Sequence, residues 1–218
     1  MADLEEFFRT LLGNPRETKS RDNKGAMEWP AAKTEGRFDL LADIMAFSNA
    51  RDGGTIVFGI ANSTHAPVGL THAQVSSFDK SNIFEAMKTY ASPVPDFDVE
   101  RCEIDHKWFV AIVVKEFRVI PTVCSRDAQI SVPGPPAKQK NVLRAGAVYV
   151  RTDGAQTIEI NTEQLMRDLI ELATRRRGEE LLRQIADLLP ETMRGASKPP
   201  AVNPYADDVE AARRELSL

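Results

Sequence analysis

The side chains in this sequence that could do chemistry form two groups of opposite charge. Among the acids, Glu28 is followed five residues on by Lys33, and Asp39 and Asp43 stand four apart, the spacing that shares one face of a helix. Metal-dependent phosphodiester cleavage needs two or three carboxylates converging on one or two divalent ions. Glu28 is the catalytic candidate on that ground; its alternative is a strand carboxylate paired with Lys33 or Arg37. Asp39 and Asp43 read as a solvated helix face. Among the bases, Lys138, Lys140, Arg144 and Arg151 lie in a stretch from residue 128 to residue 152 that holds no Asp or Glu. That pattern fits a phosphate-binding surface, and equally a solubilising loop. Arg144 and Arg151 are oddly spaced, so on an ideal strand they face opposite sides unless a bulge at Gly146 intervenes. Arg175, Arg176 and Arg177 are consecutive, radiate around a helix, and read as a helix-end cluster favouring the C-terminal dipole. Trp29, Trp108 and Tyr149 could stack on bases, although large aromatics are mostly buried.

Backbone chemistry points to Asn49, Gly53 and Gly54, where a small polar knot and a Gly pair separate an amphipathic run from an apolar one. Gly after a helix is the ordinary stop; a Gly pair also lets backbone approach a partner closely. Gly54 is expected to take a backbone geometry closed to other residues. No Gly-x-x-x-x-Gly-Lys-Ser/Thr occurs, so a phosphate-binding P-loop is excluded. Cys102 and Cys124 lie in or near apolar runs and read as free thiols. His65, His72 and His106 lack ligand spacing, so no metal site is expected from Cys or His.

These side chains need a scaffold. The chain has 218 residues, 42% hydrophobic and 28% charged, ordinary values for a globular protein with a real core. The net charge of −4 means that any nucleic-acid surface is a local patch. Residues 3–12 read as a helix, 16–24 as a loop, and 27–32 as a short strand confined by Pro30 to an edge or bend. Residues 38–48 read as a helix and 55–60 as the strongest strand, apolar enough to be buried on both faces. A helix is expected over 81–90. Strands over 97–104 and 108–114 make a hairpin around Asp105, His106 and Lys107. A short extended piece falls at 121–125, a surface loop at 131–140, and a strand at 143–151. Asn161 caps a long helix with Leu165, Leu169, Ile170 and Leu172 as its buried stripe. Gly178 breaks or interrupts that helix before 181–189, and residues 195–204 form a Pro-rich linker. The irregular alternation with a central hairpin predicts an α+β fold, with a mixed, largely antiparallel sheet packed with helices.

Glu28-Trp29-Pro30, the run from Ala46 through Asn49, Gly53 and Gly54 to Ile60, the Val68-Gly69-Leu70 segment, and Tyr149-Val150-Arg151 resemble, in order and spacing, the Schlafen-type AlbA-like domain. The resemblance covers residues 20–160. It implies a nucleic-acid-binding domain, some of whose relatives cut RNA. In the cutting members an acid precedes the one at Glu28 and another follows the strand after the Gly pair. Here those positions are Asn23, with Asp22 one residue off, and Asn62. The Lys of the motif is displaced to Lys33. The resemblance favours Arg151, since members commonly end this strand with Arg before a small polar turn.

The expected organisation is an N-terminal helix and linker over 1–19, the AlbA-like domain over 20–160, a helical segment over 161–192, and a flexible tail with a short helix over 193–218. The expected function is sequence-tolerant nucleic-acid binding, to DNA or RNA, in a bacterial regulatory or defence system, with Lys33, Lys138, Lys140, Arg144 and Arg151 as contacts. The alternatives are a degenerate endoribonuclease, needing Mg²⁺ or Mn²⁺, and an adaptor whose C-terminal tail docks on a partner protein. Otherwise no cofactor is implied. No basic-then-apolar leader and no 18-residue apolar run occur, so a cytoplasmic, membrane-free protein is expected. A homo-oligomer stays open.

Overall fold

The computed structural model describes residues 2–30, 34–62, 64–132 and 138–188. Their elements run α1 Ala2–Gly13, β1 Arg21–Lys24, α2 Glu35–Ser48, β2 Gly54–Phe58, α3 His72–Ser77, α4 Lys80–Tyr90, β3 Ala91–Ser92, β4 Phe97–Ile104, β5 Lys107–Val114, β6 Val123–Cys124, β7 Ala128–Val132, β8 Lys138–Leu143, β9 Tyr149–Arg151, β10 Thr157–Glu159 and α5 Glu163–Leu188. The chain divides into two units, Met1–Arg177 and Gly178–Leu218.

The first unit is α+β, as its pattern predicts. Its main sheet has the order β1-β2-β5-β4, with β1 and β2 parallel and the other pairs antiparallel. Two parallel neighbours need a crossover, and α2 supplies it. The sheet is covered on both faces. Val110, Ile112 and Val114 of β5 join Leu41, Ile44, Met45 and Phe47 of α2 in the largest core cluster. Phe109 and Ala111, on the opposite face of the same strand, pack against Phe8 of α1. That double burial is why β2 and β5 read as nearly continuous apolar runs. The β4–β5 hairpin turns through Asp105 and His106, both at positive φ (50° and 62°), the pattern of a two-residue turn matched to strand twist.

Several elements differ from the expectations. The first strand is Arg21–Lys24, in the segment read as a loop, and residues 27–30 are irregular. The reason is that β1 is wholly polar: Arg21, Asp22 and Asn23 are buried by pairing rather than by apolarity. Ala31, Ala32 and Lys33 lie outside the described residues. Much of the stretch expected as a surface loop at 131–140 belongs to the antiparallel ribbon β7–β8, with its tip outside the described residues. The expected strand over 143–151 is split, because Gly146 at φ +82° turns the chain between β8 and β9. The helix α5 is capped by Thr162, whose Oγ1 accepts the Leu165 N–H at 3.3 Å, and it continues through Gly178. Leu169 and Leu172 are buried as expected, while Ile170 is exposed. The Pro-rich linker and tail from residue 193 lie outside the described residues.

The Gly pair divides its work differently from the expectation. Gly53, not Gly54, has positive φ (+73°), and a Cβ there would meet the Val114 carbonyl oxygen at 2.1 Å. Gly54 lacks room instead: a Cβ would fall 2.1 Å from Phe47 Cδ1 and 2.8 Å from the Ser20 carbonyl oxygen. Asn49 caps α2 and is a buried stitch. Its Nδ2 donates to the carbonyls of Thr122 (2.8 Å) and Tyr149 (3.0 Å), and its Oδ1 accepts the Thr122 N–H at 2.8 Å.

Candidate nucleic-acid interface

β1 alternates with period two, so Arg21 and Asn23 point one way and Asp22 and Lys24 the other. On the first side, Arg21 Nε donates to Asn23 Oδ1 at 3.0 Å, and Asn23 Nδ2 donates to the Pro15 carbonyl at 2.7 Å. On the second, Lys24 Nζ lies 2.8 Å from Asp22 and 3.0 Å from Asp43 of α2. Thr157 of β10 donates to Asp43 Oδ1 at 2.6 Å, and Arg151 donates from Nη1 to Thr157 Oγ1 at 3.1 Å. Burial opposes the charge on Lys24, yet Asp43 and Asp22 outweigh it and raise the ammonium above the ordinary lysine value. Burial pushes the Asp43 carboxyl up; Lys24 and Thr157 oppose that, and Asp22 adds to it. A protonated Lys24, together with Arg151 3.9 Å from Asp43, thus opposes a carboxylate pair in a low-dielectric pocket.

This network corrects two expectations. Asp43 is buried, not on a solvated helix face. Arg151 is only 3% exposed. Its guanidinium lies 4.6 Å from the Phe47 ring centre and reaches the carbonyls of Thr18 and Arg21 at 3.4 Å. It ends its strand as an inward strut, not as a surface contact.

The remaining basic candidates lie at or beside the ribbon. Lys140 of β8 is 54% exposed and pairs with Glu35 at the start of α2. Arg144, just past β8, is 66% exposed and pairs with Glu159 of β10. Exposed pairs of this kind hold weakly, so both cations are available to a polyanion. Lys138 opens β8, with only its backbone described, and Lys33 lies outside the described residues. Arg144 and Arg151 are separated by depth, which no strand spacing encodes.

Glu28 is exposed in the irregular segment after β1. Arg37 stacks on Trp29 at 5.1 Å and donates to the Pro30 carbonyl. Trp29 and Trp108 are half-buried and Tyr149 is buried, so all three serve packing. Among the described residues, no group of three or more His, Cys, Asp or Glu could hold a metal ion. The Asp22–Asp43 pair holds the Lys24 ammonium.

A second buried hub holds α5. Glu116 accepts from Arg175 at 3.0 and 3.2 Å, lies 2.9 Å from Arg176 Nε, and accepts the Asp52 N–H at 2.7 Å. Arg175 and Arg176 are thus mid-helix anchors rather than a helix-end cluster. Neither Glu116 nor the Lys24 network was found in the sequence. The one signal for the latter was the alternation of charge in Arg21-Asp22-Asn23-Lys24.

A crossover-linked mixed sheet with helices on both faces and a separate polar ribbon defines an α+β domain of the kind expected. Residues 17–160 match the family model described as Schlafen, AlbA_2, and the chain belongs to that family. A comparison with curated proteins gives no match. Among solved structures, the chain is similar to the DIP2311 protein from Corynebacterium diphtheriae, at 18% identity, TM-score 0.38, and coverage of 64% of this chain and 26% of that one. It is also similar to the N-terminal domain of an ATP-dependent DNA helicase RecG-related protein from Nitrosomonas europaea, at 16% identity, TM-score 0.32, and coverage of 52% and 71%. The chain spans about a quarter of the first of these proteins. Among the described residues, no helix is long and apolar enough to cross a membrane.

Proposed function

We propose that this chain is a nucleic-acid-binding module whose contacts with phosphate come from the ribbon β7–β8 and its base. The observation that carries the reading is the pairing of two exposed cations, Lys140 and Arg144, with an acid-free stretch in a chain of net charge −4. Family membership supports it. Phosphate contacts are indifferent to sequence and supply most of the non-specific affinity, so the baseline binding is sequence-tolerant. Lys138 and Lys33 are proposed to extend the patch. Arg151 contributes by holding β9 and β10 against α2, not by touching phosphate.

The test is equilibrium binding to single- and double-stranded DNA and RNA across a salt series, with and without Mn²⁺. Arg144→Glu and Lys140→Glu should weaken binding to every oligonucleotide. Each should flatten the slope of log K against log salt by roughly 0.7 to 0.9 per lost phosphate contact. No binding by the wild type at low salt would overturn the proposal and leave the adaptor reading.

A further inference from the structure

We infer that the outward face of the ribbon β7–β8 reads base edges in the major groove of duplex DNA; this rests on the nucleic-acid-binding reading above. The ribbon is a two-stranded sheet of its own. Its register sets Gln129 opposite Asn141 and Ser131 opposite Gln139. Cross-strand bonds show that each pair shares a face: Gln129 Nε2 donates to Asn141 Oδ1 at 2.7 Å, and Gln139 Nε2 donates to Ser131 Oγ at 3.0 Å. All four side chains are exposed. Strand alternation puts Ile130 on the opposite face, where it packs against the core. The ribbon is therefore anchored by one face and presents the other.

The chemistry of that outward face is specific. Each cross-strand bond uses only part of an amide's capacity. Gln129 and Gln139 each retain one N–H and the carbonyl oxygen; Asn141 retains both N–H groups and a lone pair. Each amide thus offers a donor beside an acceptor, the arrangement that pairs bidentately with N6 and N7 of adenine. The amide–amide and amide–hydroxyl bonds also bias the side chains toward one arrangement before binding, which lowers the entropy cost of recognition. Five paired residues span about 17 Å, and the major groove, about 12 Å wide, admits a two-stranded ribbon. Arg126, just before β7, and Arg144, just after β8, are exposed at the ribbon's base, positioned to meet flanking phosphates. Duplex RNA hides its base edges in a deep, narrow major groove that side chains cannot read. The inferred ligand is therefore duplex DNA, with a preference for adenine-containing steps.

The experiment is selection by the full chain from a randomised duplex DNA library, followed by titration of the enriched duplex and a scrambled one. The wild type should favour an adenine-containing enriched site by tenfold or more. Gln129→Ala combined with Asn141→Ala should bind both duplexes alike, near the wild type's affinity for the scrambled one. Gln139→Ala alone, with an unchanged melting midpoint, should lose part of the discrimination. Duplex RNA of the enriched sequence should bind no better than scrambled DNA. Undiminished discrimination in these variants overturns the inference, as does equal discrimination on duplex RNA, or binding restricted to single strands; each leaves the phosphate-binding reading standing. Absence of any binding at low salt removes that reading and this inference together.

Discussion

At the residue scale, Lys24 and Arg151 are the side chains whose removal tells most. Lys24→Met would leave two carboxylates facing each other with only Arg151, 3.9 Å from Asp43, to oppose their charge. It should cost about 3 kcal/mol, the low end for a broken buried pair, because Lys24 keeps some exposure. The pH dependence has a defined sign. Lys24 has its folded value raised, so its stabilisation is full below the ordinary lysine value of 10.5 and is lost as pH rises through the folded value. Wild-type stability should therefore fall in strongly alkaline buffer with a component that Lys24→Met lacks. In that variant Asp43, already raised by burial, loses its opposing ammonium. Its melting midpoint should rise as pH drops from about 8 to about 5, since protonation relieves the buried charge; a midpoint that does not rise would refute the pairing. Arg151→Met should likewise cost about 3 kcal/mol, by orphaning Asp43 and Thr157 from their strut, and the loss should show in thermal melting without any nucleic acid.

At the element scale, the turn between α2 and β2 is constrained from two directions. Gly53→Ala places a Cβ against backbone at a positive φ, whereas Gly54→Ala places one against the Phe47 ring, over which Arg151 stacks. Gly54→Ala also meets the Ser20 carbonyl oxygen at 2.8 Å, which a ring shift does not relieve, so each variant should cost about 2 kcal/mol or more, by comparison of melting midpoints. The docking of α5 depends on Glu116 in the same way. Glu116→Ala leaves Arg175 and Arg176 without their shared acceptor and frees the Asp52 N–H. It should cost about 3 kcal/mol and raise amide exchange in residues 163–177 before the main sheet opens. Uniform exchange protection in that variant would show that Leu169 and Leu172 hold the helix without the ion pairs.

At the scale of the molecule, a mildly acidic chain carries Lys138, Lys140 and Arg144 at or beside a ribbon that forms a sheet of its own. The scaffold and the proposed contact surface are therefore separable by mutation. Lys140→Glu or Arg144→Glu should alter binding with little change in melting, because exposed ion pairs contribute no more than about 1 kcal/mol. The two core-facing networks should behave oppositely. Truncation after Met193 should leave a cooperative transition of similar midpoint, since the Pro-rich segment beyond it has too little apolar surface to build a core. Loss of a partner protein without loss of stability in that truncation would favour the adaptor.

The apolar elements could be read from sequence because their periodicity is a direct image of burial. The core helix α2, the strands β2, β4 and β5, their hairpin turn and the helix after residue 161 all carry such a pattern, and with them the α+β class. β1 could not be read, because Arg21, Asp22, Asn23 and Lys24 are buried by pairing with residues far along the chain, and hydropathy records apolarity, not partnership. Gly53 and Gly54 were visible as a necessity, but which needed the dihedral angle and which needed the space depends on Val114 and Phe47. Arg144 and Arg151 look alike in sequence. One pairs in the open with Glu159; the other is enclosed by Phe47, Thr157 and two carbonyls. Composition set the charge of this protein and patterning set most of its elements. Which charges reach a partner and which hold the domain together was decided by tertiary contacts, because the cost of an ion depends on what surrounds it.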